Sequence, residues 1–187
     1  MTETDLSPAR VCEKSFFAGF GGQGIISMGQ IWVYFAMKEG KNVSFFPFYG
    51  AEKRGGIARA GVIISDDEID SPLVTIPDSA LVMNTDSLPL CEGILKPGGL
   101  LLLNSTLVKE NPKRTDIKTA TVEATSLAGK IGDARIANMV ALGALARLTG
   151  ALMLTDIEAI LKKFFSQDKH RFIPMNVEAI RAGYEAV

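Results

Sequence analysis

The sequence predicts an α/β protein, a three-layer α/β/α sandwich whose mainly parallel sheet has a Rossmann-like start and an added antiparallel hairpin. Short, continuous apolar runs such as residues 80–84 (ALVMN) and 100–104 (LLLLN) are typical of strands that are buried on both faces. In the first part of the chain these runs alternate with segments of helical length, and the last third is helical. That order indicates a parallel sheet with helices on both faces.

The composition is that of a folded domain with no signature of an unusual class. The chain has 187 residues, of which 47% are hydrophobic and 22% are charged, so it can bury a core without disulfides or a metal. Its net charge of -1, with basic residues spread along the chain, predicts no nucleic-acid partner. Cys12 and Cys91 are too few for a disulfide framework, and we expect both to be reduced in a cytoplasmic protein.

Neither a secretion signal nor a membrane segment is expected. The first residues carry acids and a proline, and no apolar run approaches the roughly 20 residues that a membrane helix needs. We expect residues 1–13 to form an N-terminal arm and residues 14–187 to form a single domain.

The first elements are a strand at residues 14–18, a glycine turn, and a helix at residues 25–39 that Gly40 ends as a C-cap residue. That helix is apolar over most of its circumference, which predicts that it is covered on more than one side. Two interpretations remain open. The helix either packs centrally against the sheet, or its far side also meets another subunit.

The following segments supply the remaining strands and helices. Residues 42–46 form a second strand, and residues 60–65 and 69–76 are expected to form the antiparallel hairpin, with Pro72 marking an edge. Further strands are predicted at 80–84, 100–104 and 118–123, with a short helix ending at Ile94, and later helices at 136–148, 155–165 and 177–186. A capping box at Thr155–Glu158 opens one of these helices, and Asn176 is expected to cap the last.

The glycine turn after the first strand is the first candidate site. A strand, a glycine-rich turn and a helix form a junction where backbone N–H groups and the helix dipole favour an anion. The candidate residues are Gly19, Gly21, Gly22, Gln23 and Gly24, whose spacing satisfies the dinucleotide fingerprint. However, the acid expected about 20 residues later is missing, since that place holds Phe45 to Phe48, and no P-loop lysine follows the turn. A nicotinamide or P-loop enzyme is therefore disfavoured.

The second candidate site is the segment that follows the second strand. Its aromatic run and its charged pair flanked by glycines suit a shaped loop, and its candidate residues are Tyr49, Glu52, Arg54 and Gly55. The alternative is a solvated turn with a surface Glu–Arg pair. The only histidine, His170, lies in a charged segment, so neither a catalytic residue nor a metal site is predicted.

Together these motifs resemble the gamma subunit of the 2-oxoacid:ferredoxin oxidoreductases. The resemblance rests on GFGGQG followed by YGAEKRGG about 25 residues later, and then on Ser71-Pro72. Two helix motifs add to it, Asn138-Met139 with Gly143, and Asn176 with Ala179 and Gly183. It covers essentially the whole chain from Lys14 onward.

The resemblance implies a role in an oxidoreductase complex. Such enzymes convert a 2-oxoacid and coenzyme A to an acyl-CoA, carbon dioxide and reduced ferredoxin. Thiamine diphosphate, magnesium and iron–sulfur clusters belong to alpha, beta and delta partner subunits, so this chain is expected to bind no cofactor alone, to share coenzyme A, and to be inactive when isolated. The second motif, YGAEKRGG, looks more like the corresponding segment of 2-oxoglutarate and branched-chain members than that of pyruvate members.

The resemblance also suggests how the two motifs work. Backbone N–H groups of Gly21 to Gly24 would meet coenzyme A phosphates, and Gln23 would orient the turn or donate to the ligand. Arg54 would pair with a phosphate while Glu52 holds Arg54 or the loop backbone. The alternatives are that Glu52 and Arg54 form a subunit contact, or that the chain is a scaffold that binds no small molecule.

Overall fold

A computed structural model describes residues 11–48 and 56–187, which form six strands and six α-helices. Short 3-10 turns precede α2, α4 and α6. The elements follow in the order β1 (Cys12–Phe20), α1 (Ile25–Lys38), β2 (Asn42–Phe48), β3 (Ile57–Ser65), β4 (Ser79–Val82), α2 (Leu88–Ile94), β5 (Leu100–Asn104), β6 (Lys118–Val122), α3 (Ala124–Ile131), α4 (Ala137–Thr149), α5 (Ile157–Phe164) and α6 (Ile173–Glu185).

All six strands belong to one mixed sheet in the order β2-β3-β1-β4-β5-β6. Strands β1, β4, β5 and β6 are parallel, whereas β3 is antiparallel to both β1 and β2. The predicted fold class is therefore confirmed. The predicted hairpin partner is wrong, because β3 pairs with β2, and residues 69–76 form no strand. Asp70 and Pro72 interrupt that segment, which instead packs Val74 against Gly61 of β3.

The two faces of the sheet are covered unequally. Alternate strand residues point to opposite faces, so Phe17 and Leu81 lie in one core cluster while Phe16 and Ala80 lie in the other. The first cluster packs against the five helices α1, α3, α4, α5 and α6. The second packs against α2 and the segment that carries Val74. We refer to this second side as the α2 face.

Helix α1 is covered on two sides by elements of its own chain, the sheet and α5. Trp32 and Phe35 are fully buried, whereas Tyr34 and Met37 remain exposed on its outer side. The predicted C-cap is confirmed, because Gly40 has a φ of +76° and Lys41 donates its N–H to the Ala36 carbonyl at 3.0 Å. These are the bonds of a Schellman motif, for which a glycine in the left-handed region is favoured.

Two predicted helix starts are wrong. Asp156, with a φ of +54°, precedes α5 without a side-chain capping bond, so Thr155 does not open a capping box. Helix α6 begins at Ile173, and Asn176 lies inside its first turn, where its side chain donates to the Phe172 carbonyl at 2.7 Å. A 3-10 turn already leads into α6, so no separate cap is needed at Asn176.

Helices α4 and α6 cross in close backbone contact. A Cβ atom added at Gly143 would lie 1.9 Å from the Ile180 carbonyl oxygen, and one added at Gly183 would lie 1.8 Å from the Val140 carbonyl oxygen. These two glycines, one from each helix motif, therefore allow α4 and α6 to pack in close contact. Within residues 11–48 and 56–187, no helix is long and apolar enough to cross a membrane.

Candidate functional site

The candidate site lies at the edge of the sheet where the parallel strands end. Since β1 and β2 are both antiparallel to β3, they run in the same direction, and the glycine turn and the loop after β2 start at the same edge. The Gly21 N–H donates to the Gly56 carbonyl at 3.1 Å, so the structure brings the glycine turn to the end of the second motif. Tyr49, Glu52, Arg54 and Gly55 lie outside the described residues, and their predicted roles stay predictions.

The glycine turn leaves part of its backbone free for a ligand. Gly22 and Gly24 have positive φ values of +100° and +73°, and a Cβ at Gly22 would meet no atom of the described residues within 4 Å. The N–H groups of Gly21 and Gln23 already donate to the carbonyls of Gly56 and Phe20. Within the described part of the chain no acceptor takes the N–H of Gly22 or Gly24. The donors available to an anion are therefore fewer than the four that the sequence suggested.

Gln23 and Gly19 shape the turn from inside the protein. The Gln23 Oε1 accepts the Phe20 N–H at 2.7 Å, and its Nε2 donates to the Met83 carbonyl at 3.2 Å at the end of β4. Gly19 is buried within β1, where a Cβ would lie 2.6 Å from Gln23 Oε1 and 2.8 Å from Met83 Cβ. Gln23 thus orients the turn, and Gly19 makes room for it.

Asn138 links the turn to α4, and sequence reasoning placed it in a helix motif without assigning it to the site. Its Nδ2 donates to the Gly24 carbonyl at 3.3 Å, and its Oδ1 accepts the Met139 N–H. Gly24 allows this approach, because a Cβ there would lie 2.4 Å from Nδ2. An asparagine among the apolar residues at the start of this helix was the signal in the sequence that could have identified it.

A cleft of about 290 Å³ opens beside this contact. Ser27 of α1 and Asn138 of α4 line it, so the N-terminal ends of two helices converge there. Lys169 also lines the cleft, and Arg135 does so while paired with Asp133 at 2.5 Å. The first turn of α1 carries no acidic residue, so the positive end of its dipole is not compensated. The cleft and the turn therefore favour a ligand with negative charge.

Among the described residues, neither the histidine nor the buried cysteine is placed to act as a nucleophile at this site. The His170 Nε2 lies 3.2 Å and 3.1 Å from the carbonyls of Lys162 and Phe165, so the ring closes the end of α5. Burial raises the pKa of the Cys91 thiol to about 12, which leaves it protonated. The described residues contain no group of three His, Cys, Asp or Glu side chains placed to hold a metal ion. What the site offers is backbone N–H groups and nearby cations.

Residues 14–186 match the family model described as pyruvate ferredoxin/flavodoxin oxidoreductase. The chain belongs to this family. It is 38% identical over 170 residues to the ketoisovalerate oxidoreductase subunit VorA of Methanothermobacter thermautotrophicus, covering 90% of this chain and 35% of that relative. It is 34% identical over 177 residues to the 2-oxoglutarate synthase subunit KorC of Methanothermobacter marburgensis, covering 91% and 94%. The chain thus spans about a third of one relative and nearly all of the other.

The similarity to proteins of this kind extends to the three-dimensional structure. The crystal structure of the gamma subunit of a keto/oxoacid ferredoxin oxidoreductase from Geobacter sulfurreducens superposes with a TM-score of 0.82 at 31% identity. The match covers 94% of this chain and 96% of that chain. The mixed sheet and its helices are therefore the fold of a gamma subunit of this family.

Proposed function

We propose that this chain is the gamma subunit of a multi-subunit 2-oxoacid:ferredoxin oxidoreductase. The observation that carries the proposal is its end-to-end similarity to a separate gamma subunit, of which it covers 96%. In the assembled cytoplasmic complex it would pack on alpha and beta subunits that hold thiamine diphosphate and magnesium. Iron–sulfur clusters on the beta and delta subunits would pass electrons to ferredoxin. The chain itself would carry no catalytic residue, and the isolated chain would be inactive.

The substrate we assign to the complex is a 2-oxoacid, with 2-oxoglutarate as the expected one. Relatives that share this domain are named for ketoisovalerate and for 2-oxoglutarate, at 38% and 34% identity. Since one domain serves enzymes with different substrates, we infer that the other subunits select the 2-oxoacid. This chain would then act on the step that these enzymes share, the transfer of the acyl group to coenzyme A.

We further propose that the glycine turn helps to bind the diphosphate of coenzyme A. The N–H groups of Gly22 and Gly24, which have no acceptor among the described residues, supply donors, and the uncompensated N-terminus of α1 supplies a positive field. Gln23 and Asn138 hold the turn from two sides. When bound, coenzyme A supplies the thiol that accepts the acyl group. Arg54 would add a charge-assisted bond to a phosphate.

Co-purification of the native complex, followed by ferredoxin-reduction assays, tests this function. We expect activity with 2-oxoglutarate that exceeds activity with ketoisovalerate or pyruvate, and a complex inactive with every 2-oxoacid would contradict the family role. A complex more active with another 2-oxoacid would contradict only the substrate assignment.

A matched pair of variants tests the coenzyme A site in the same assay. Gly22→Ala adds a methyl group in the turn, whereas Gly93→Ala adds one in α2, where nothing lies within 4 Å. We expect Gly22→Ala to raise the KM for coenzyme A about tenfold or more. A tenfold change corresponds to the loss of about one charge-assisted hydrogen bond. Equal KM values for the two variants would favour a scaffold that binds no ligand.

A further inference from the structure

On the α2 face, Arg59 of β3 is a half-buried cation that has no ion-pair partner within the described residues. Its Nε is buried and donates to no acceptor there. Asp86 is exposed and forms no ion pair with it, and Glu92 of α2 instead accepts the Arg114 N–H at 2.5 Å. An arginine whose buried N–H lacks an acceptor is rare in native proteins, because the lost hydration costs free energy.

Asn84 is a second buried donor without an acceptor in the same part of the fold. It is 2% exposed, and its Nδ2 has no partner in the part of the chain that the structure describes. Its Oδ1 accepts the Ser87 Oγ–H at 2.5 Å, which fixes the plane of the amide. The side-chain atoms of Asn84 and Arg59 that lack a partner here are thus both hydrogen-bond donors.

The sheet register places these two residues on the same face of the sheet, two strands apart. Arg59 stands opposite Ala18 of β1, and Ala18 stands opposite Val82 of β4, so all three share the α2 face. Neighbouring strands are about 4.8 Å apart, so the backbones of Arg59 and Val82 are separated by roughly 10 Å. Asn84 follows Val82 by two residues in extended conformation and lies on the same side.

The positive charge of Arg59 acts on a residue of α2. The pKa of the Cys91 thiol in α2 is raised by burial, and the positive charge of Arg59 opposes that rise. Ala18 of β1 is the strand neighbour of Arg59 on this face. Arg59 and Asn84 therefore both lie on the side of the sheet that α2 covers.

The surroundings are apolar and aromatic. Phe48 stands opposite Arg59, and its ring centroid lies 5.0 Å from that of Phe46 and 6.0 Å from that of Phe16. Phe20 and Phe46 are each 39% exposed. A cation beside such a surface attracts an anion strongly, because water screens the pair less than it does in the open.

We propose that Arg59 and Asn84 form a binding site for an anionic group, a carboxylate or a phosphate, on the α2 face of the sheet. The site has donors only, so it selects anions over cations. Its donors are side chains, unlike the backbone donors of the glycine turn, and it does not depend on the proposed function. The aromatic rings beside it would contact the organic part that carries the anion.

Titration of the full chain with inorganic phosphate and with acetate tests the site. The side-chain N–H resonances of Arg59 Nε and Asn84 Nδ2 report it directly by NMR, with potassium chloride at matched ionic strength as reference. We expect saturable shifts of both resonances with at least one anion. No saturable shift with either anion overturns the proposal, and this needs no variant that could fail to fold.

Variants and the assembled complex sharpen the result. Arg59→Gln should weaken binding about tenfold or more, Arg59→Lys should retain part of it, and Arg171→Gln, an exposed arginine beside Phe172, should leave it unchanged. Equal weakening by Arg59→Gln and Arg171→Gln overturns the site. If phosphate or acetate binds the isolated chain but not the co-purified complex, a carboxylate of a partner fills the site. If the anion binds both the isolated chain and the complex, the natural ligand is a small-molecule anion.

Discussion

The chain uses glycine in two opposite ways, in the turn after β1 and at the crossing of α4 and α6. In the turn, a Cβ at Gly22 would contact none of the described residues, and the glycine is required by its φ of +100°. At the crossing, Gly143 and Gly183 lie in regular helices, and the glycines are required because a carbonyl of the other helix occupies the place of the Cβ. The turn leaves space beside its glycine, whereas the crossing fills that space with the backbone of the other helix.

The difference shows that a glycine-rich motif does not indicate a ligand site without its surroundings. Both motifs belong to the pattern by which the sequence resembles its family. Only the turn lies at the carboxyl edge of the parallel strands, where ligands bind in open α/β sheets. The crossing holds the helical layer together behind the sheet. We therefore expect the same substitution, glycine to alanine, to affect stability at one motif and ligand binding at the other.

Gly143→Ala should have the largest effect. The added methyl group would lie 1.9 Å from the Ile180 carbonyl oxygen, so α4 and α6 must separate. Overpacking against a rigid backbone costs about 3 kcal/mol or more of the free energy of unfolding, and the variant is expected to be poorly folded. Urea denaturation of the isolated chain measures this loss.

Gly129→Ala is the matched control for that loss. Gly129 lies in α3, is exposed, and would have no atom within 4 Å of an added Cβ. Alanine has the higher helix propensity, so this variant should be more stable than the wild type by about 0.5 to 1 kcal/mol. Similar stabilities of the two variants would show that the helices do not cross as closely as the structure has them.

Gly24→Ala and Asn138→Ala should show a non-additive effect on stability. Alanine at Gly24 must adopt a φ of +73° and would clash with Asn138 Nδ2 at 2.4 Å, whereas Asn138→Ala alone loses one hydrogen bond worth about 1 kcal/mol. The double variant has no clash, so it should be more stable than the sum of the single losses by about 1 kcal/mol. A double-variant cycle of urea denaturation measures the coupling, and additive losses would mean that Asn138 does not hold the turn.

Gly22→Ala should affect stability less than either change above. The methyl group would contact no described residue, so the strained φ sets the cost in free energy, about 1 to 2 kcal/mol. Gly21→Ala is its control, because among the described residues its Cβ would meet the Gly56 oxygen alone, at an ordinary 3.7 Å, and its stability should stay within about 0.5 kcal/mol of the wild type. Thermal denaturation of both variants checks the order, and a larger loss for Gly21→Ala would contradict the turn geometry.

Local patterns in the sequence predicted the elements whose causes are local. The strand-turn-helix at Gly19 to Gly24 and the end of α1 at Gly40 depend on residues a few positions apart, and both are confirmed. The partner of β3 depends on a choice between two neighbouring segments, and there the prediction was wrong. Asn138 was missed as a site residue because its contact with Gly24 spans 114 positions and requires the packed fold. The orphan donors on Arg59 and Asn84 likewise appear only when the strands are placed side by side.

The amino end of β1 differs from the glycine turn at its carboxyl end, because its polar side chains bond to one another. At the turn, backbone donors are left for a ligand, whereas at the amino end Glu13 Oε1 accepts the Ser79 Oγ–H at 2.6 Å, and Ser15 lies beside it. Burial raises the pKa of the Glu13 carboxyl, the nearby charge of Asp78 adds to the rise, and the Ser79 hydrogen bond opposes it. This carboxyl is thus more readily protonated in the folded state than in the unfolded chain.

Glu13→Gln should therefore have the smallest effect, one that depends on pH. A raised folded-state pKa means that the folded chain holds the proton more tightly, so the contribution of Glu13 to stability is complete below about pH 4.5, its ordinary pKa, and is lost as the pH rises through the folded-state pKa. Glutamine keeps the shape and an acceptor for Ser79 but carries no charge. Relative to the wild type, the variant should gain stability as the pH rises from 4 to 7, as measured by urea denaturation at each pH. A constant difference over that range would show that Glu13 is solvated, and that the amino end of β1 is as open as its glycine turn.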